Sequence, residues 1–387
     1  MNFQEIQRLD GTYVAKTYAR YPVALVGGKN ATLTDSEGRE YIDFGSGIAV
    51  NVFGANDEAW KKAVIDQLNK IQHVSNYYYA EPQSRLAQML CERTGAKRVF
   101  FSNSGAEANE CALKAARRYS FLKYGEERDR IVSLKGSFHG RTLFTLTATG
   151  QDAFHKYFGP FVPDVSYAAP ELPDVVRVAG SDTCAVIIEC VQGESGVNAL
   201  PARFVGELAD WCRRNDVLLI CDEVQSGNGR CGTLYAYEQY GISPDIVTTA
   251  KGLAGGLPIG ACLFFGRAED ALGAGDHGST FGGNPVACAA ACNVIGRLTP
   301  GFLLEVQGKA AYLRAKLQGF DGVREVTGLG MMIGLSTGRP AKEVAAACLE
   351  RGLLVLTAHE RVRLLPPLTI TKTEMDEGLS ILKEVLS

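Results

Sequence analysis

Asp245-Ile246-Val247-Thr248-Thr249-Ala250-Lys251-Gly252-Leu253-Ala254-Gly255-Gly256-Leu257-Pro258-Ile259-Gly260 carries an apolar, β-branched run into a glycine-rich turn through a single lysine, and a second apolar run, Ala261 to Phe265, follows at once. Glycines let backbone approach a ligand closely and adopt positive φ, and Pro258 stiffens the exit, so Lys251 is expected at a confined, well-defined spot. A desolvated lysine is the usual Schiff-base nucleophile. A surface lysine in a loop is the alternative, and the rest of the chain decides between them.

Outward from this stretch the chain alternates in the α/β manner. Apolar runs predict strands at Arg98 to Phe101, Ile131 to Leu134, Leu143 to Thr147, Ala185 to Ile188, Val217 to Cys221, Ile246 to Thr248 and Ala261 to Phe265. Helical periodicity predicts helices from Asp57, over Pro82 to Arg93, over Ala106 to Tyr124 and over Ala202 to Arg213. Several of the strands are continuously apolar and so buried on both faces, which predicts an α/β fold with a mostly parallel central sheet of about seven strands. Ligands of such a sheet sit beyond its strand ends. The first fifty residues read as a small antiparallel meander, Tyr21 to Val26, Ala31 to Thr34 and Glu40 to Phe44. From Pro285 two helices lead into a strand, helix, strand, strand, helix pattern over residues 323 to 387, a separate small α+β domain. These pattern changes set domain boundaries near 50 and 290.

The chain has 387 residues, net charge -3 and pI ≈ 6.0. It shows no dense Lys/Arg cluster, which argues against a nucleic-acid partner. The polar N-terminus lacks an apolar signal core and no apolar run approaches a membrane span, so a soluble, cytoplasmic, unexported protein is expected. Eleven cysteines are scattered through apolar runs without a C-x-x-C, which predicts reduced, buried thiols and no bound metal. Asn30-Ala31-Thr32 matches a glycosylation sequon, which carries no weight without secretion. No G-x-x-x-x-G-K-[ST] occurs. Gly227-Asn228-Gly229-Arg230-Cys231-Gly232 matches G-x-G-x-x-G, but no crossover helix opens from it and no acid follows at the required distance, so it reads as a loop.

Other segments carry chemistry. Val217-Leu218-Leu219-Ile220-Cys221-Asp222-Glu223-Val224-Gln225 ends an apolar strand in carboxylates. A buried aspartate there either keeps a pyridine nitrogen protonated or caps the next turn. Phe101-Ser102-Asn103-Ser104-Gly105-Ala106-Glu107-Ala108 is a strand, small polar residues and a helix start. Ser104, Gly105 and Ala106 leave room for a phosphate at the positive helix end, and plain N-capping is the other reading. In Ser137-Phe138-His139-Gly140-Arg141, Phe138 is placed to stack on a ring and Arg141 to grip a carboxylate. His139 reads more readily as a core histidine with one hydrogen bond. Ser279 and Thr280, in Gly278-Ser279-Thr280-Phe281-Gly282-Gly283-Asn284-Pro285, suit phosphate or substrate oxygens, or are part of a turn. Glu194 lies in Gln192-Gly193-Glu194-Ser195-Gly196 after an apolar strand, and Arg363, inside an apolar run, needs a buried anion.

Taken together, Asn103 to Asn109, Phe138 to Thr142, Gln192 to Glu194, Asp222 to Gln225, Ala250 to Gly252 and Gly278 to Pro285 resemble the class III, ω-amino-acid aminotransferases, which use pyridoxal 5'-phosphate. Tyr18 to Val23, Ser46 to Asn51, His73 to Asn76 and Val362 to Leu368 extend the resemblance over nearly the whole chain. It implies fold-type I, with a large cofactor-binding domain (50–290) and a small domain built from both chain ends (1–49 and 291–387). It implies that Lys251 is the Schiff-base lysine, that Asp222 pairs with the pyridinium nitrogen, and that Gln225, next to Val224, approaches the ring hydroxyl. Ser104, Gly105 and Ala106 would hold the phosphate with Thr280 of the neighbouring subunit of a homodimer, and Phe138 would stack on the ring. Arg141 and Ser279 would contact the substrate. Glu194 would pair with Arg363 and swing aside when 2-oxoglutarate brings its second carboxylate.

The chain departs from the family pattern at Gly54-Ala55-Asn56-Asp57-Glu58, where members often carry Gly-His-x-His-Pro, and at Cys190, Ser195, Ser226 and Asn228. None of these removes an expected cofactor contact. Ser195 and Asn228 are expected to bear on substrate preference.

Overall fold

Leu218 and Ile220 belong to one apolar cluster, with Ile246, Cys262 and the helix residues Ala112 and Ala116, while Leu219 and Cys221 belong to another, with Val247, Ala261 and Leu263. Alternate side chains of a strand point to opposite faces, so a strand apolar at every position is covered on both. The computed structural model describes residues 1–387, and this double burial marks the middle of its main sheet. Its strands are β1 (Arg98–Ser102), β2 (Arg130–Leu134), β3 (Val165–Ala168), β4 (Thr183–Ile188), β5 (Leu218–Asp222), β6 (Ile246–Thr249) and β7 (Gly260–Phe264). They lie in the order β1-β7-β6-β5-β4-β2-β3. All are parallel except β7, which is antiparallel to both neighbours. The C-terminal ends of β1, β2, β4, β5 and β6 therefore open on one edge, and the start of β7 joins them there.

The expected mostly parallel, seven-stranded sheet is present, with one strand exchanged. Leu143–Ala148 is a helix. Its threonines and phenylalanine favour a strand by propensity, but Phe144 to Ala148 are all buried by tertiary packing, and the hydroxyls of Thr147 and Thr149 stay paired there by donating to the carbonyls of Leu143 and Thr145. The seventh strand is β3, whose Val-Ser-Tyr-Ala sequence is too short and too polar to announce itself, as suits an edge strand.

Leu25–Lys29, Thr32–Asp35 and Glu40–Asp43 form the expected antiparallel meander, except that its first strand begins at Leu25 rather than Tyr21 and runs through Gly27 and Gly28 instead of turning there, and Leu353–Leu354 adds to it in parallel. The last helix, Lys372–Leu386, starts with a Thr371/Glu374 capping box. The same Glu374 accepts from Asn30 Nδ2 (2.6 Å) and the Ala31 amide (3.1 Å), so a helix cap ties the two chain ends together. Val323–Leu329, Met332–Thr337, Arg361–Leu364 and Leu356–Ala358 make a second antiparallel sheet, where the sequence suggested one strand before the helix rather than a hairpin. A helix at Phe3–Tyr13, capped by Asn2, was not expected either. No single helix is long and apolar enough to cross a membrane.

Candidate active site

At the open edge of the sheet lies a cavity of about 410 Å³. Lys251, Asp222, Val224, Gln225, Ser104, Gly105, Ala106, Phe138 and Arg141 all line it, so distant segments converge there. Lys251 follows β6, and its backbone is left-handed (φ 44°). Such strain persists only when the surroundings hold it. Asn228 supplies part of that hold, donating from Nδ2 to the Ala250 carbonyl and the Thr249 hydroxyl, both at 3.0 Å. The rejected G-x-G-x-x-G run is indeed a turn-rich loop, and it braces the lysine.

Burial is the largest influence on Lys251 and lowers its pKa; Glu194, Asp222 and Glu189 oppose this through their charge, and Arg363 reinforces it. The outcome is an ammonium that gives up its proton more readily than a surface lysine. Asp222 is buried at the end of β5 and accepts from His139 Nδ1 (2.8 Å), Asn109 Nδ2 (2.7 Å) and the Val224 amide (3.0 Å). Asn109 is fixed in turn by donating to the His139 carbonyl (2.8 Å) and accepting from Thr248 Oγ1 (2.6 Å). Oδ1 of Asp222 carries only the amide, which leaves a lone pair for a donor in the cavity.

β1 runs into helix Gly105–Tyr124, whose N-cap is Ser104. The Ser104 hydroxyl and carbonyl accept the amides of Glu107 and Ala108, and the amides of Gly105 and Ala106 have no acceptor in the chain. Both readings of this segment hold at once: the cap is made, and two free amides remain at the positive helix end. Phe138 and Phe154 meet edge to face, with centroids 5.5 Å apart, and the Arg141 guanidinium lies 4.3 Å from the Phe154 centroid and 5.6 Å from that of Phe138. Arg141 is exposed and has no carboxylate partner.

Arg363 finds the anion its burial demands, with Nη1 2.6 Å from Glu194 Oε1 and 3.1 Å from Gln225 Oε1. Burial alone would raise the Glu194 carboxyl, but the charge and hydrogen bond of Arg363, with Lys251 nearby, outweigh it and hold its pKa below the ordinary value. Ser279 and Thr280 do not line the cavity. The Ser279 hydroxyl accepts from Asn103 Nδ2 (3.1 Å) and the Gly282 amide (3.0 Å), while Thr280 is exposed beside Phe281. No cluster of side chains able to hold a metal ion is present.

His139, Asn109 and Glu189 are among the lining groups that were given no role from the sequence. His139 is a buried histidine with one side-chain bond, but its partner is Asp222. Asn109 sits one turn into helix Gly105–Tyr124 on its buried side, which was the available signal. Glu189 ends β4 as Asp222 ends β5, the same acid-after-apolar-run pattern.

These residues fit pyridoxal 5'-phosphate. Free amides await an anion, a hydrogen-bonded carboxylate faces the cavity with a free lone pair, an aromatic ring walls it, and a lysine of lowered pKa enters it. The comparisons with known proteins agree. The family described as Aminotransferase class-III matches residues 13–386. Acetylornithine aminotransferase of Haemophilus ducreyi is 49% identical, with 100% of each chain covered. That of Methanothermobacter thermautotrophicus is 42% identical, again over 100% of both. Among solved structures, N-acetylornithine aminotransferase from Stenotrophomonas maltophilia superposes with TM-score 0.83 at 33% identity, covering 98% of this chain and 97% of that one. Ornithine aminotransferase from Toxoplasma gondii, described with PLP at its active site, gives 0.95 at 28% identity, covering 100% and 94%. The chain belongs to the class-III aminotransferases, a pyridoxal 5'-phosphate-dependent family.

Proposed function

We propose that the protein transfers the δ-amino group of N-acetylornithine to 2-oxoglutarate, yielding N-acetylglutamate semialdehyde and glutamate, a step of arginine biosynthesis. The observation that carries the substrate assignment is that relatives 40% to 49% identical over at least 96% of this chain are acetylornithine aminotransferases. When bound, pyridoxal 5'-phosphate supplies an electron sink for the carbon that bears the amine. The chain's own residues divide the remaining work. Gly105 and Ala106 amides hold the phosphate, Asp222 faces the ring nitrogen, Gln225 the ring hydroxyl, and Phe138 covers one face. Lys251 Nζ removes the proton from the amine-bearing carbon, a task suited to its lowered pKa. Arg141 binds the substrate carboxylate. The Glu194–Arg363 pair stays closed on a monocarboxylate donor and opens for the second carboxylate of 2-oxoglutarate, so one cavity serves both half-reactions.

The protein is further proposed to be a homodimer in which Thr280 completes the partner's phosphate site and Ser279 orients that loop and the substrate. Support comes from the exposure of Thr280, Phe281 and the run Tyr77-Tyr78-Tyr79, an apolar surface beside the Asn76–Ser279 hydrogen bond. Residues 50–290 are proposed as the large domain, with 1–49 and 291–387 together as the small one. Eleven cysteines without a disulfide suit a cytoplasmic location.

The substrate assignment is tested by kcat/KM for N-acetylornithine, succinylornithine, N-succinyl-diaminopimelate, ornithine and 4-aminobutyrate. N-acetylornithine is expected to lead free ornithine by about tenfold or more. The close superposition on ornithine aminotransferase favours ornithine as the second reading, and a clear preference for it would overturn the first.

A further inference from the structure

Glu189 lines the cavity and has no role in the scheme above. Its Oε2 accepts the Phe138 amide at 2.9 Å, the one hydrogen bond its side chain makes, and no lysine or arginine reaches it at ion-pair distance. Phe138 begins the loop that also carries His139, which bonds Asp222, and Arg141. One amide is scant compensation for a buried negative charge. Glu194, by contrast, has Arg363.

We infer that Glu189 is a positioning residue that works uncharged: it pins the Phe138–Arg141 loop through the Phe138 amide and turns an O–H donor toward the cavity, leaving the negative charge there to Asp222. The proton belongs on Oε1, because Oε2 is occupied by the amide. Burial first, and the Asp222 charge second, push the Glu189 carboxyl well above its ordinary value, against the smaller pull of the Phe138 amide and Lys251, while Glu194 pushes the same way. Two neighbouring acids with opposite protonation states are a recurrent way of dividing roles in an active site. An uncharged Glu189 also spares the Lys251 ammonium a third stabilising anion beside Glu194 and Asp222.

The inference rests on the cavity being the cofactor site, and the test separates the two. In cofactor-free protein, thermal denaturation of wild type and Glu189→Gln is compared across pH. Because the folded pKa lies above the ordinary 4.5, the stability that Glu189 contributes is complete below 4.5 and is lost as pH rises. The melting temperature of Glu189→Gln should therefore gain on wild type steadily above that pH. In loaded protein, the absorbance titration of the lysine-bound cofactor should keep its midpoint in Glu189→Gln, whereas loss of a charged neighbour would lower it by about one unit or more. Glu189→Ala should weaken cofactor binding about tenfold, with Glu189→Gln restoring it. A lowered midpoint, a stability difference that ignores pH, or no rescue by glutamine overturns the inference. Failure of wild type to form the chromophore at all would instead overturn the site reading.

Discussion

Asp222, Glu223 and Glu189 end two adjacent parallel strands, yet each meets a different fate. Glu223 is wholly buried and accepts from Ser226 Oγ and the amides of Ala236 and Tyr237, and burial still pushes it up to about 7. Its work is to hold the loop that carries Asn228. Asp222 accepts from two fixed side chains and keeps a lone pair toward the cavity, which supports its proposed role as the partner of the ring nitrogen. Replacing it with alanine should lower kcat by about a hundredfold or more, the scale of losing a preorganised electrostatic partner; a loss under tenfold in a folded variant would show that the ring nitrogen needs no anion. Lys251 gives a pH signature of its own. The neutral amine is the nucleophile, and its pKa lies below 10.5, so the rate at which cofactor-free protein binds the cofactor covalently should rise with pH and level off before 10.5. A rate still climbing past that point would mean the lysine is not desolvated. At this scale the sequence exposed the acids and the lysine because each breaks an apolar run. It could not reveal that His139 faces Asp222, since residues 83 apart meet only through the order of the strands.

Helix Gly105–Tyr124 reaches the cavity because its first residue has no side chain. A Cβ on Gly105 would lie 2.6 Å from Val224 Cγ1 and 2.9 Å from Cγ2. Gly105→Ala should thus displace the helix start or the Val224 loop, weakening cofactor affinity about tenfold and costing about 1–3 kcal/mol of stability. Adding Val224→Ala should recover much of both, read by cofactor titration and thermal melting; no recovery would place the fault elsewhere than in this contact. Element type was legible wherever burial and periodicity agreed, as in β4, β5, β6 and β7 and in this helix. It failed where tertiary context overrode propensity. Leu143–Ala148 is helical against its propensity because Phe144 to Ala148 are all buried by their tertiary neighbours, and β3 is a four-residue edge strand with Ala168 as its one fully buried residue. Phe3–Tyr13 has no buried residue to create a pattern.

For the whole molecule, the sheet explains why the cavity is where it is, and the exposed Thr280 is the ground for the proposal that a second chain completes the site. Thr280 stands outside its own chain's cavity, so a mixed dimer of Lys251→Ala and Thr280→Ala subunits should contain one wholly intact site. Refolded mixtures are expected to regain activity that neither homodimer has, at cofactor concentrations that leave Thr280→Ala unsaturated; no complementation would mean Thr280 serves its own subunit or none. The small antiparallel meander was readable at the N-terminus, but its completion by Leu353–Leu354 was not, because that pairing spans most of the chain. The most direct measurement is to reduce the cofactor-loaded protein with borohydride and map the modified residue by peptide mass spectrometry. The pyridoxyl group is expected on Lys251 alone, with none trapped in Lys251→Ala; modification of another lysine, or an unreduced chromophore that survives in Lys251→Ala with normal turnover, would show that Lys251 is not the Schiff-base lysine.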